Sequence, residues 1–117
     1  MSWRLHQIFY LEQGETRLYG ELIQFVEERH LCWLRPIALH CQSRNDASTG
    51  EAFYDLRQGA DLICPDTLLH LALDHEVLPI LTQLHDLKDE AASSHNADRL
   101  RQFVQQLWQA EPEAFQQ

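Results

Sequence analysis

LYGELIQFVEERHLCWLRPIAL, residues 18–39, is the stretch that decides the fold. Two runs rich in aromatic and β-branched side chains, 18–26 and 31–39, flank four polar residues at 27–30. This pattern predicts a long β-hairpin whose turn lies at the polar residues. Apolar side chains occur on both faces of the predicted hairpin, so we expect other parts of the chain to cover each face.

Three further segments, 4–12, 52–57 and 60–64, have the composition of strands and bring the expected number to five in residues 1–64. The predicted fold class is therefore α+β, with a small five-stranded antiparallel sheet that is barrel-like (SH3/Sm-like) and precedes the helices. Gly20 is expected to mark a bulge or bend, and Pro36 an edge strand or an interruption. The polar segment 42–51 is expected to be a mobile loop.

The pattern becomes helical after residue 64. Pro65 opens one predicted helix, and Asp74 caps a second that runs to about residue 87. Pro79, beyond the first turn of this second helix, favours a break or a displaced start. A polar linker is expected at 88–97, with Asn96 as a cap. A final helix at 98–110 carries one apolar stripe, formed by Leu100, Phe103, Val104, Leu107 and Trp108. We expect a single domain, with residues 1–64 forming the sheet, 65–110 the helices and 111–117 a tail, and we expect the last helix to dock onto its own sheet rather than onto a partner.

Composition excludes several classes of protein. The net charge is −9, and residues 58–117 carry ten acidic side chains against three basic ones. An acidic surface disfavours nucleic acid as the main partner. No apolar run approaches the roughly 20 residues of a membrane span, so membrane insertion is not expected. The first residues do not resemble a secretory signal, and the three cysteines are odd in number, so we expect a cytoplasmic protein with reduced thiols.

A resemblance accompanies these features. The motifs are LYGE at 18–21, CWLRP at 32–36, DLRQ at 55–58 and ADL at 60–62. Over residues 18–84 the chain resembles small cyanobacterial proteins to which no activity is assigned. The resemblance implies a cyanobacterial type of host and transfers no mechanism, cofactor or site.

Catalytic and metal-binding patterns are weak. The chain has no G-x-S-x-G motif and no glycine-rich phosphate loop, so we expect no enzymatic activity and no cofactor. Seven histidines suggest a metal, but neither C-x-x-C nor H-x-x-x-H occurs. A small-molecule or metal-binding protein that uses His and Cys residues remains the alternative hypothesis, followed by an RNA-binding small barrel.

The aromatic residues support a different interpretation. Trp33 and Trp108 are most simply core residues, but tryptophan and arginine also dominate protein-binding surfaces. We therefore predict a non-catalytic protein–protein interaction module, an adaptor or an assembly or regulatory factor of a larger complex, whose partner is another protein or a second copy. The candidate binding residues are Trp33, Arg35, Arg57, Phe103 and Trp108.

Overall fold

The structure, a computed structural model, describes residues 3–42, 51–86 and 93–115. Six strands precede three helices in chain order. The strands are β1 (Ile8–Gln13), β2 (Thr16–Val26), β3 (Leu31–Gln42), β4 (Glu51–Asp55), β5 (Leu62–Pro65) and β6 (His70–Leu71). The helices are α1 (Asp74–Asp86), α2 (Ser93–Ala110) and the short α3 (Pro112–Phe115). The α+β class is confirmed.

All strand pairs are antiparallel, in the order β4-β3-β2-β1-β6, with β5 also paired to β3. The sheet has six strands rather than the five expected. Within the described residues no pairing joins the β6 edge to β4 or β5, so the sheet is not closed and the predicted barrel-like (SH3/Sm-like) closure is not confirmed.

The β2–β3 hairpin is the centre of this sheet, as its sequence predicts. A 3-10 turn at Glu27–Arg29 closes it, followed by His30 in the left-handed region at φ 55°. The bulge expected at Gly20 is confirmed, because the register shifts between Tyr19 and Gly20. A Cβ atom at Gly20 would lie 3.2 Å from the Arg35 carbonyl oxygen, so the close approach of the two backbones favours glycine.

Pro36 lies within β3 rather than on an edge strand. It pairs with Gly20 on the β2 side. On the other side of β3, β5 pairs with Leu31–Leu34 and β4 pairs with Ala38–Gln42, so Pro36 falls in the gap between the two ladders. Proline has no amide hydrogen to donate, and at this position in the central strand no neighbouring strand requires one. The gap between the two ladders is the interruption that the sequence predicts at Pro36.

One helix covers each face of the sheet, and the expectation from the two-faced hairpin is confirmed. On the first face, the side chains of Phe103 and Leu107 from α2 are buried against Phe9, Leu18 and Leu39. The opposite face packs against α1, and its buried residues are Tyr19, Ala38, Ala72, Ile80 and Leu84. The predicted docking of the last helix in cis is therefore also confirmed.

The structure corrects several boundaries. In place of the helix predicted from Pro65, the structure has a 3-10 turn, Asp66–Leu68, followed by β6. The leucine pattern of this segment favours a helix, but β6 pairs with β1 and is therefore a strand. Helix α1 continues through Pro79 without a break. The Glu76 carboxylate accepts a hydrogen bond from the Leu73 amide, and this contact caps the helix in place of the predicted Asp74.

The predicted linker at 88–97 is shorter than expected, because α2 already begins at Ser93. Asn96 therefore does not cap the helix. It is buried within the first turns, and its Nδ2 donates a hydrogen bond to the Asp55 carbonyl at 2.9 Å. The predicted tail contains α3 up to Phe115. The loop expected at 42–51 lies, except for its first and last residues, outside the described residues.

Candidate functional site

Trp33 lies on the face of the sheet that carries α1, but outside the area that α1 covers. Its neighbours in β3, Cys32 and Leu34, point to the opposite face and are buried. In the sheet register Trp33 is paired with Gln24 of β2 and with Ile63 of β5. The side chains of Trp33 and Ile63 are 41% and 56% exposed, so these neighbours present an apolar surface to solvent.

Asp61 holds the polar edge of this surface. Its Oδ2 accepts a hydrogen bond from Trp33 Nε1 at 2.8 Å, and its Oδ1 accepts one from Arg35 Nε at 3.4 Å. The single carboxylate therefore orients both the indole ring and the guanidinium group. We call the area formed by Trp33, Arg35, Asp61 and Ile63 the Trp33 surface.

Helix α1, on the same face of the sheet, also exposes apolar side chains. One flank of α1, with Glu76 bound to Arg17 at 2.8 Å, faces the β1–β2 turn. Leu78 and Leu81 are exposed, and the helical spacing of 100° per residue places them on the other flank.

The structure brings together two of the five predicted site residues, Trp33 and Arg35. Arg57 instead binds Asp55, with contacts of 2.8 and 3.0 Å, and this guanidinium group holds the pKa of the Asp55 carboxyl below its usual range. Phe103 is buried in the core, where a partner does not reach it. Trp108 is 54% exposed on α2, at the opposite face, so neither tryptophan is the core residue that its hydrophobicity favours.

Sequence reasoning did not find Asp61 and Ile63. The sequence predicts a strand at 60–64, but it does not reveal which neighbouring strand this one pairs with. The alternation of Ile63 with the buried Cys64 was the only available signal that Ile63 points away from the core.

A second polar site surrounds Arg17, in a cavity of about 340 Å³ between α1 and the β1–β2 turn. Arg17 donates hydrogen bonds to Glu12 and Glu76, both at 2.8 Å, and its guanidinium lies 4.2 Å from the Tyr10 ring centre. Hydrogen bonds to Tyr19 and Glu12 raise the pKa of Arg17. The charge of Arg17 is therefore paired within the fold, and its ion pair with Glu76 connects α1 to the sheet.

The cysteine and histidine residues do not form a metal centre in the described part of the chain, which contains no group of three or more His, Cys, Asp or Glu residues placed to hold one ion. Cys32 and Cys64 are paired in register across β3 and β5 as free thiols. Burial raises the pKa of Cys32 to about 11 and also raises that of Cys64. Both thiols are therefore protonated at neutral pH, which makes them poor nucleophiles and poor metal ligands.

Among the described helices, none has the length and apolar character needed to cross a membrane. Comparison with known proteins gives no matching family model, no matching characterised protein and no matching solved structure. Inference about function therefore depends on the residues of this chain and their geometry.

Proposed function

We propose that this protein is a non-catalytic protein–protein interaction module of the cytoplasm, an adaptor or assembly factor, and that it binds its partner through the Trp33 surface. One observation carries the proposal: Trp33 is 41% exposed while Asp61 fixes its indole N–H at 2.8 Å. Tryptophan and arginine are the residues that most often dominate binding energy at protein interfaces. A side chain that is already oriented loses less conformational entropy on binding.

The charge distribution indicates what kind of partner fits. Two copies of a chain with net charge −9 repel each other, so the proposed occupant is a different protein rather than a second copy. The apolar part of the surface accepts an apolar side chain beside Trp33 and Ile63. Within the described residues Arg35 is bound through Nε alone, which leaves its terminal N–H groups for an acceptor on the partner.

The test compares two exposed tryptophans on opposite faces. Wild-type protein, Trp33→Ala and Trp108→Ala are immobilised and exposed to an extract of the source organism, and retained proteins are quantified by mass spectrometry. The proposed partner is retained by wild type and Trp108→Ala and lost from Trp33→Ala. Loss of a central tryptophan is expected to weaken binding by about 30-fold, equivalent to about 2 kcal/mol.

Thermal unfolding followed by circular dichroism confirms that each variant is folded. Retention of the same proteins by Trp33→Ala would contradict the proposal. Light scattering on the purified protein measures its oligomeric state. If the wild type is a dimer and Trp33→Ala is a monomer, the Trp33 surface binds a second copy of the chain, and the proposal of a different protein as partner is wrong.

A further inference from the structure

A second cavity lies at the closed end of the β2–β3 hairpin, on the face of the sheet that α2 covers and so opposite to the Trp33 surface. Its volume is about 220 Å³, and the described residues that line it are Trp3, Phe25, Glu27, His30, Cys32 and Asp66. Trp3 is held in place by its ring contact with Phe9, at 4.8 Å between centres. We call this space the Trp3 cavity.

The walls of the Trp3 cavity are aromatic and acidic. Trp3 and Phe25 contribute rings, Glu27 and Asp66 contribute carboxylates, and none of the described lining residues is lysine or arginine. Aromatic faces carry a negative quadrupole and attract cations, an effect that strengthens where water is excluded. Both kinds of wall therefore favour a positively charged ligand.

Asp66 is the more buried of the two carboxylates in this cavity. It is 9% exposed, and its backbone amide donates a hydrogen bond to the His30 carbonyl at 2.9 Å. In the described part of the chain the carboxylate has one partner, His30 Nδ1, at 3.2 Å from Oδ2. Oδ1 has no partner among these residues. A carboxylate that is mostly removed from water, with one oxygen not bound by the described residues, attracts a cation that enters the cavity more strongly than an exposed carboxylate does.

The negative charge of Asp66 also acts on neighbouring groups. Burial has the largest effect on the pKa of the Cys32 thiol, and the Asp66 carboxylate raises it further. The same carboxylate contributes to the raised pKa of Cys64. The field of Asp66 therefore extends into the interior at this end of the hairpin.

We propose that the Trp3 cavity binds the head group of an alkylated ammonium ion. A cavity of about 150 Å³ holds a benzene molecule, so 220 Å³ accommodates a compact trimethylammonium group. Guanidinium fits less well, because its planar fork is best bound by both oxygens of one carboxylate and His30 already occupies Oδ2 of Asp66. The aromatic and acidic walls match the requirements of a quaternary ammonium, which needs no hydrogen-bond acceptor.

The experiment uses two ligands of the same shape. Choline and its neutral isostere 3,3-dimethyl-1-butanol are titrated into the full chain at constant ionic strength, and the indole N–H signals of Trp3, Trp33 and Trp108 are followed by NMR. Choline is expected to shift the Trp3 signal saturably, whereas the neutral isostere binds at least about tenfold more weakly. Equal binding of both, or no saturable shift with choline, would overturn the proposal.

Neighbouring glutamates provide the matched variants. Glu27 lines the Trp3 cavity, whereas Glu28 is an exposed residue of the same turn that does not line it. Glu27→Gln is expected to weaken choline binding by about three- to fivefold while Glu28→Gln leaves it unchanged. Equal weakening by both variants would show a general effect of net charge and would overturn the site. Asp66→Asn is expected to weaken binding by about tenfold, and the glutamate pair decides the matter if Asp66→Asn does not fold.

A third titration distinguishes a small metabolite from a modified protein as the source of the ammonium group. A short peptide that carries trimethyllysine presents the same head group on a protein chain. Tighter binding of the peptide than of free choline indicates a modified protein as the ligand, and tighter binding of choline indicates a small metabolite. Both outcomes support the site, and neither depends on the Trp33 surface, because Trp33→Ala is expected to leave choline binding unchanged.

Discussion

Leu107 and Trp108 are neighbours in α2 that the fold treats in opposite ways, and this contrast gives a quantitative prediction. Leu107 is 3% exposed within the core, whereas Trp108 is 54% exposed. Leu107→Ala removes three carbon atoms at about 0.8 kcal/mol each, which is about 2.4 kcal/mol before any cavity term. The space left behind adds to this cost, so the expected loss is about 3–4 kcal/mol of unfolding free energy.

Urea denaturation followed by far-UV circular dichroism measures this loss without depending on tryptophan fluorescence. For a chain of this size the expected decrease corresponds to a shift of about 2 M in the urea midpoint. Trp108→Ala, the larger truncation by volume, is expected to cost less than about 1 kcal/mol. If Leu107→Ala costs less than about 1 kcal/mol, or if Trp108→Ala costs as much, then α2 does not pack as described.

Three further predictions concern the sheet, the thiols and one ion pair. Gly20→Ala is expected to destabilise the protein by about 1–2 kcal/mol, measured by the same denaturation, because the new Cβ would meet a backbone carbonyl at 3.2 Å that a central strand holds in place. Iodoacetamide at pH 8 is expected to alkylate the partly exposed Cys41 well before the buried Cys32. The pKa of Cys32, about 11, leaves only about one Cys32 thiol in a thousand ionised at this pH. Equal alkylation rates of the two cysteines, measured by mass spectrometry, would contradict this prediction. The Asp55 carboxyl has a lowered pKa in the folded state, so the stability it contributes is present at neutral pH and is lost as the pH falls through that pKa. Arg57→Gln is therefore expected to lower the melting temperature at pH 7 but to have little effect well below pH of about 3.9, and a constant difference across this range would exclude the ion pair as the cause.

The main features of the fold were predictable because local periodicity and global packing agree there. The hairpin alternates apolar residues on two faces, and the stripe of α2 has helical spacing, so both elements follow from residue order alone. The prediction of a helix after Pro65 is wrong because Leu71 pairs with Phe9, which makes this segment the strand β6. Such pairing joins residues far apart in sequence, and no local pattern encodes it.

The candidate site was predictable only in part for the same reason. Alternation along β3 places Trp33 opposite the buried Cys32, but whether its face is covered depends on where α1 lies. Trp108 lies at the edge of the stripe on α2, where hydrophobicity does not distinguish burial from exposure. Asp61, which orients Trp33, immediately precedes β5, so its position is set by the pairing of β5 with β3.

The most direct test of the proposed function is the dissociation constant of the captured partner for three purified proteins, measured by isothermal titration calorimetry. Wild type and Trp108→Ala are expected to bind equally, and Trp33→Ala about 30-fold more weakly. If the affinity for Trp33→Ala equals that of wild type, the Trp33 surface is not the site of interaction.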